Sequence, residues 1–278
     1  MKGLLRRLFT AIFFVLLMLG GLYGGRYSFV LLFAIVTALC LWEFLNMVLV
    51  KYTQRDFVRI IIGMGLGLVP FIISTVVQLD LANDREVFIS LSAFLVSPFL
   101  FTAFLYELYS NSQNPFLNIA FMMLGMIYIG VPFALLDFIA FDGAYFYADT
   151  VFGLLLLSWS NDTGAYVVGS LFGRTKLFPR ISPKKTWEGT IGGFAITFLI
   201  CIILAKYFTE LDFVHWLALA GIVSVFGTLG DLVESMLKRS MQTKDSGGLL
   251  PGHGGFLDRF DGFIFMLPYA TAYLLWMR

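Results

Sequence analysis

Chemistry is concentrated in residues 235–261 of this 278-residue chain. Within that stretch Lys238, Arg239, Lys244 and Arg259 stand among Asp245, Asp258 and Asp261, with His253, Pro251 and five glycines including Gly254 and Gly255. Each of these charges would cost several kcal/mol in hydrocarbon, so the segment must lie at a membrane surface or line a wet cavity. Cations beside carboxylates suit a phosphate ligand and its metal ions. Just upstream, Asp231, Glu234, Ser235 and Lys238 would share one face of a helix. Asp258 and Asp261, three apart, would share another if helical. Asp231, Asp258 and Asp261 without a His-rich or Cys-rich set would select a hard cation such as Mg2+ rather than zinc. The plainer reading of the Asp258–Arg259–Asp261 group is an interfacial charge cluster with internal salt bridges. A loop histidine such as His253 is more often solvated than catalytic.

Two further clusters precede this one. Asp162, flanked by Asn161 and Thr163, falls in the middle of an apolar run. A carboxylate there is costly and faces a cavity or a partner. The alternative is a helix-packing patch, with Gly164, Ala165 and Gly169 as small interface residues. Downstream, Ser182-Pro183-Lys184-Lys185 reads as an N-cap with proline at the first helical position. The amides of such a helix start, beside two lysines, would make an anion site. On charge alone this is also a plain basic cytoplasmic loop.

The polar order from Ser235 to Asp261 resembles the signature of the phosphatidate cytidylyltransferases, also called CDP-diacylglycerol synthases. That pattern requires Ser, then Lys-Arg, Lys-Asp, His-Gly-Gly and Asp-Arg-apolar-Asp at fixed spacing. Ser235, Lys238-Arg239, Lys244-Asp245, His253-Gly254-Gly255 and Asp258-Arg259-Phe260-Asp261 meet it. The Ser182–Gly189 stretch resembles a second motif of that family. One departure stands near Thr228 and Leu229, where members often carry a polar residue. The resemblance implies transfer of a cytidylyl group from CTP to phosphatidate, with release of pyrophosphate. It implies catalytic roles for Asp231, Asp258, Asp261, Lys238 and Arg239, the three aspartates holding Mg2+ in a two-cation site. It further implies that Ser182, Lys184, Lys185, Asp162, Lys244, Asp245, His253, Gly254, Gly255 and Arg259 contact the substrates. A homodimer and no nucleic-acid partner are expected.

The elements that must carry these residues are apolar. The chain is 59% hydrophobic and 13% charged, against about 25% charged residues in a soluble domain. Runs of the length needed to cross a bilayer predict an all-α polytopic integral membrane protein. About nine spans are expected, near 8–25, 28–50, 57–79, 87–109, 118–140, 150–172, 190–208, 214–234 and 260–277. With a cytoplasmic N-terminus, 15 of the 19 Lys and Arg residues fall on the inner side, as the positive-inside rule requires. The basic N-terminus and the apolar run after it read as a retained first helix rather than a cleaved signal. Residues 1–149 would form a five-helix membrane region and 150–278 the catalytic membrane region with its cytoplasmic loops. A bacterial cytoplasmic membrane is the expected location, with the active site facing the cytoplasm.

Several classes are disfavoured. Cys40 and Cys201 lack metal-ligand spacing and read as buried thiols. No P-loop is present, and the CDP-alcohol phosphotransferase pattern is missing. A secondary transporter remains a rival, but transporters tend to carry paired repeats, whereas here the polar residues are confined to one half. A cytidylyltransferase acting on another lipid phosphate is the nearer alternative. Glu43 and Glu107, near span ends, read as packing or lipid-facing details.

Overall fold

The computed structural model describes residues 2–52, 57–249 and 254–277. Helices dominate because apolar runs of this length can satisfy their backbone groups in lipid only internally. Two compact units result, one of Met1–Phe146 with Asp245–Arg259, the other of Tyr147–Lys244 with Phe260–Arg278.

The first unit begins with α1 (Lys2–Tyr23), α2 (Arg26–Tyr52), α3 (Phe57–Gln78) and α4 (Arg85–Tyr109). Then come α5 (Pro115–Gly125) and α6 (Val131–Ala140), joined through a π-helical turn at Met126–Gly130. Its core is built from Phe29, Phe33, Leu41, Phe44 and Phe133, all fully buried. Asp84 caps α4 by accepting from Val87 N at 3.0 Å. Around α4, Leu91, Phe94, Leu95, Phe101 and Leu108 stay exposed, as they would on a helix whose surroundings are lipid. A short hairpin, β1 (Phe141–Asp142) with β2 (Tyr145–Phe146), closes the unit.

The second unit holds α7 (Ala148–Phe172), a hairpin of β3 (Lys176–Phe178) and β4 (Ser182–Thr186), and α8 (Trp187–Tyr207). It continues with α9 (Phe213–Ile222), a π-helical turn at Val223–Gly227, α10 (Thr228–Ser240) and α11 (Asp261–Met277). α7 and α8 form its most extensive helix pair, through small residues that let the backbones approach. Trp216 is fully buried against Gly153. Phe226 stacks on Tyr269 at 3.5 Å. In the loop before α9, the Glu210 carboxylate accepts from Asp149 N at 3.2 Å, Thr150 N at 2.6 Å and Thr150 Oγ1 at 2.7 Å. Glu210 thereby caps α7, whose own preceding residue Tyr147 offers no side-chain cap.

Among the described residues, six helical stretches are long and apolar enough to cross a membrane. They are Arg26–Leu49, Phe57–Gln78, Arg85–Tyr109, Pro115–Ala140, Trp187–Tyr207 and Phe213–Ser240. The chain is therefore an all-α multi-pass membrane protein. Helices α1, α7 and α11 cover the other three expected stretches. Within α1, Ile12–Tyr23 is an apolar helix among the described residues. α7 carries Asp149, Ser158, Ser160, Asn161, Asp162 and Thr163 along its length. α11 has 17 residues. Both cysteines are buried and free, as expected. Glu43 and Glu107 are buried rather than lipid-facing.

Candidate functional site

In the second unit a cavity of about 380 Å³ opens beside the C-terminal half of α7 and the N-terminal ends of α8 and α10. α7 supplies Asn161, Asp162 and Tyr166 to its wall, β4 supplies Lys184 and Lys185, and α10 supplies Thr228 and Asp231. Its size lies within the range typical of small-molecule pockets, about 300–1,000 Å³. Asp162 is exposed into it, as its cost within an apolar run demands. Asn161 is buried and donates to Thr228 Oγ1 at 3.3 Å, while its Oδ1 lacks a hydrogen-bond partner. The expected small-residue interface is present too: Gly164 lies against Gly193 of α8 and Gly169 against Gly189. The packing of small residues on α8 and the polar wall of the cavity thus run along the same stretch of α7, where Ala165 and Gly169 line the cavity beside Asp162.

The start of α8 corrects one expectation. Ser182 and Pro183 do not begin a helix. They open β4, paired antiparallel with β3 in the register Phe178↔Ser182 and Lys176↔Thr186. Thr186 is the N-cap, extended at φ −129° and ψ 154°, and its side chain accepts from Gly189 N at 3.2 Å. Glu188 in the first turn accepts from Arg174 N and Thr175 N, each at 3.1 Å, and fastens the hairpin to the helix start. Lys185 is thus presented by a strand end. Its Nζ donates to Asp231 Oδ2 at 2.6 Å, with both side chains partly exposed.

α10 realises the predicted shared face. Glu234 is fully buried and accepts from Lys238 Nζ at 2.6 Å, one turn on. Close packing of α10 on α11 brings Asp261 toward that face. A Cβ on Gly230 would lie 2.8 Å from Asp261 O, and one on Gly262 would lie 3.0 Å from Asp231 Oδ1. Only glycine at both positions permits this approach. Asp261 is thereby brought near the acidic face of α10 that carries Asp231 and Glu234. Arg239 is exposed, donating to Ile181 O at 3.4 Å and Thr243 O at 3.1 Å. Ser182 lies outside the cavity wall, and Lys244 is exposed at the end of the unit.

The first unit holds the other signature residues. Asp258 and Asp261 do not share a helical face. Asp258 sits in a 3-10 turn, Leu257–Arg259, and α11 begins only at Asp261. The Asp258 carboxylate accepts from Gly255 N at 2.8 Å and Ser246 N at 3.3 Å. Gly254 adopts φ +84°, a conformation that excludes most side chains. Arg259 and Asp245 are exposed. His253 lies outside the described residues.

A family model described as the cytidylyltransferase family matches residues 5–277. The chain belongs to this family. It is similar to a protein of Staphylococcus haemolyticus (strain JCSC1435), 35% identical over 98% of this chain and 99% of that one. A relative from Staphylococcus saprophyticus is 34% identical over 95% of this chain and 94% of its own, and one from Staphylococcus epidermidis is 34% identical over 97% and 98%. All three are named phosphatidate cytidylyltransferase.

Sequence reasoning gave no role to Tyr166 or Thr190, both in the cavity wall. Tyr166 is one helical turn beyond Asp162, and that spacing was the available signal. A divalent cation is a matter of donor chemistry here. Asp231 and Asp261 are carboxylates, oxygen donors of the kind a hard ion takes. Among the described residues no group of three or more Asp, Glu, His or Cys side chains is gathered to hold a metal unaided. A Mg2+ ion ordinarily takes one or two carboxylates, with substrate phosphates and water completing its shell, so the residues present fit it.

Proposed function

We propose that this chain is a phosphatidate cytidylyltransferase, forming CDP-diacylglycerol and pyrophosphate from CTP and phosphatidate. The observation that carries the reading is the cavity in which Lys184 and Lys185 face Asp162 and Asp231. Family membership and the names of the relatives support the substrates.

A phosphate oxygen of phosphatidate attacks the α-phosphorus of CTP. A new P–O bond forms, the bond from the α-phosphorus to the α–β bridging oxygen breaks, and pyrophosphate leaves with that electron pair. The protein contributes positioning and charge stabilisation rather than covalent chemistry. Lys185 and Lys184 bind phosphoryl oxygens, with Lys185 exchanging its hold on Asp231 for the substrate. Asp162 and Tyr166 orient the nucleotide. Lys238, Arg239, Lys244 and Arg259 add positive charge around the polyanions, and Ser182, Asp245, His253, Gly254 and Gly255 belong to the substrate-contacting set. Mg2+, held by Asp231 and Asp261, would neutralise phosphate charge and polarise the reacting phosphoryl group.

The same reading takes in the finer topology: about nine spans, a cytoplasmic N-terminus, a bacterial inner membrane, a homodimer, and a catalytic region at 150–278 that faces the cytoplasm. The basic β3–β4 hairpin, with Lys176, Lys184 and Lys185, supports that orientation. Purified protein given labelled CTP, Mg2+ and phosphatidate should release pyrophosphate and label the lipid, and polyprenyl phosphate in place of phosphatidate should give no product. Asp231→Ala should abolish turnover while the protein still extracts and purifies as folded. Wild-type turnover in that variant would remove Asp231 from the mechanism.

A further inference from the structure

Glu43 lies on α2, far in sequence from every residue of the signature, and it is only 3% exposed. An acid buried in an apolar helix demands compensation. Within the first unit that compensation comes from the signature itself. Glu43 Oε2 accepts from Leu257 N at 2.9 Å and from Ser246 Oγ at 3.3 Å. Its Oε1 accepts from Leu249 N at 3.5 Å. One carboxylate thus holds two stretches of the signature, 245–249 and 254–259.

Two glycines make that hold sterically possible. A Cβ at Gly255 would stand 2.6 Å from Glu43 Oε2, and a Cβ at Gly247 would collide with the same carboxylate. The two stretches are also tied from the other side, where Asp258 accepts from Ser246 N and Gly255 N. Ser246 and Gly255 therefore lie between two carboxylates, one belonging to the signature and one to α2. Ser246 is 7% exposed and Leu257 fully buried, so water is poorly placed to substitute for Glu43.

We propose that Glu43 is a positioning residue for cytidylyl transfer. It fixes the backbone of 245–249 and 254–259 in the conformation that substrate binding uses, and it gives the N-terminal membrane helices a direct part in the reaction. This rests on the cytidylyltransferase reading.

The test compares wild type, Glu43→Gln, Glu43→Asp and Glu86→Gln, an exposed acid at the start of α4, in the full-length detergent-solubilised protein. Gln keeps the size of the side chain but turns an N–H group toward backbone donors. Hydrogen exchange is followed in peptides covering 245–249 and 254–259, alongside steady-state kinetics with CTP and phosphatidate. Glu43→Gln should accelerate exchange in those two stretches by about tenfold or more, the scale of a lost hydrogen bond to a charged acceptor. It should also lower kcat/KM for CTP by a comparable factor, with exchange in α3–α6 unchanged. Glu43→Asp should recover part of both, and Glu86→Gln should match wild type. Unchanged exchange in the two stretches overturns the proposal, as does faster exchange there with wild-type kinetics or a uniform rise across the first unit. A wild-type enzyme that shows no CTP-dependent product instead rejects the cytidylyltransferase reading, before any variant is compared.

Discussion

Replacing Lys185 by Met keeps an unbranched apolar stem and removes the ammonium. In the structure that ammonium sits 2.6 Å from Asp231 Oδ2, and the two side chains are 28% and 20% exposed. Water reaches the pair and screens it, so its worth to folding is about 1 kcal/mol or less. Its worth to turnover is not bounded in this way. A cation aimed at phosphoryl oxygens acts where charge shifts during the reaction, and losing one such contact costs about 10²–10³ in kcat, or roughly 2.7–4 kcal/mol. Lys185→Met should therefore lower kcat by two to three orders of magnitude, while thermal unfolding in detergent moves by about 4 °C or less.

The assay is conversion of labelled CTP in mixed micelles with phosphatidate, measured for Lys185→Met, Asp231→Asn and the double variant. Each single change leaves its partner in the cavity without the opposite charge. The double change removes both, so its loss should fall well short of the sum of the two single losses in free energy. Wild-type kcat and KM in Lys185→Met would refute the phosphate-binding role outright. Strictly additive losses would refute the coupling, leaving the ion pair as a resting contact with no part in the chemistry.

Other consequences lie away from the cavity. Arg59 and Glu107 form a buried ion pair, and Asn118 donates to Glu107 Oε2 at 3.0 Å. Arg59→Met strands the Glu107 carboxylate and should destabilise the first unit by about 3–5 kcal/mol, read as a lowered unfolding temperature in detergent, and adding Glu107→Leu should restore much of the loss. Burial pushes the Glu210 carboxyl above its ordinary 4.5, against hydrogen bonds from Thr150 and Asp149 that pull it down. The fold then binds the Glu210 proton more tightly than the unfolded chain does. That contribution is complete below pH 4.5 and is lost as pH rises through the raised folded value. Glu210→Gln should flatten this part of the stability profile, and identical slopes for variant and wild type would contradict the burial argument.

What can be read from the sequence follows from how local each signal is. Asp162, Lys185 and Asp231 stand out because each places charge in or beside an apolar run, and all three reach the same cavity. The Glu234–Lys238 bridge needs only helical spacing to be foreseen. Ser182-Pro183 misleads because a serine before proline is a strong local mark of a helix start. The β3–β4 pairing overrides it, with Pro183 tolerated in a two-stranded hairpin and the cap passed to Thr186. A hydropathy window likewise cannot distinguish a helix that faces lipid from one, like α7, whose Asn161 and Asp162 line a cavity.

Glu43 marks where reading along the chain stops. An acid inside an apolar helix announces that it has a partner, because its burial is otherwise too costly. It does not announce what the partner is. A salt-bridge partner such as Arg59 for Glu107, 48 residues away, at least has a charge that can be searched for. The partners of Glu43 are a serine hydroxyl and two backbone amides, the nearest of them 203 residues away. Backbone amides are the same at every position and leave no trace in a sequence. The glycines opposite Glu43 do leave one. Gly247 and Gly255 read locally as flexibility or as room for a ligand. At Gly247 the Glu43 carboxylate excludes a side chain, and at Gly255 it does so together with Ser246 Oγ, so the same residues that loosen the signature in sequence are the ones that let it be held in place.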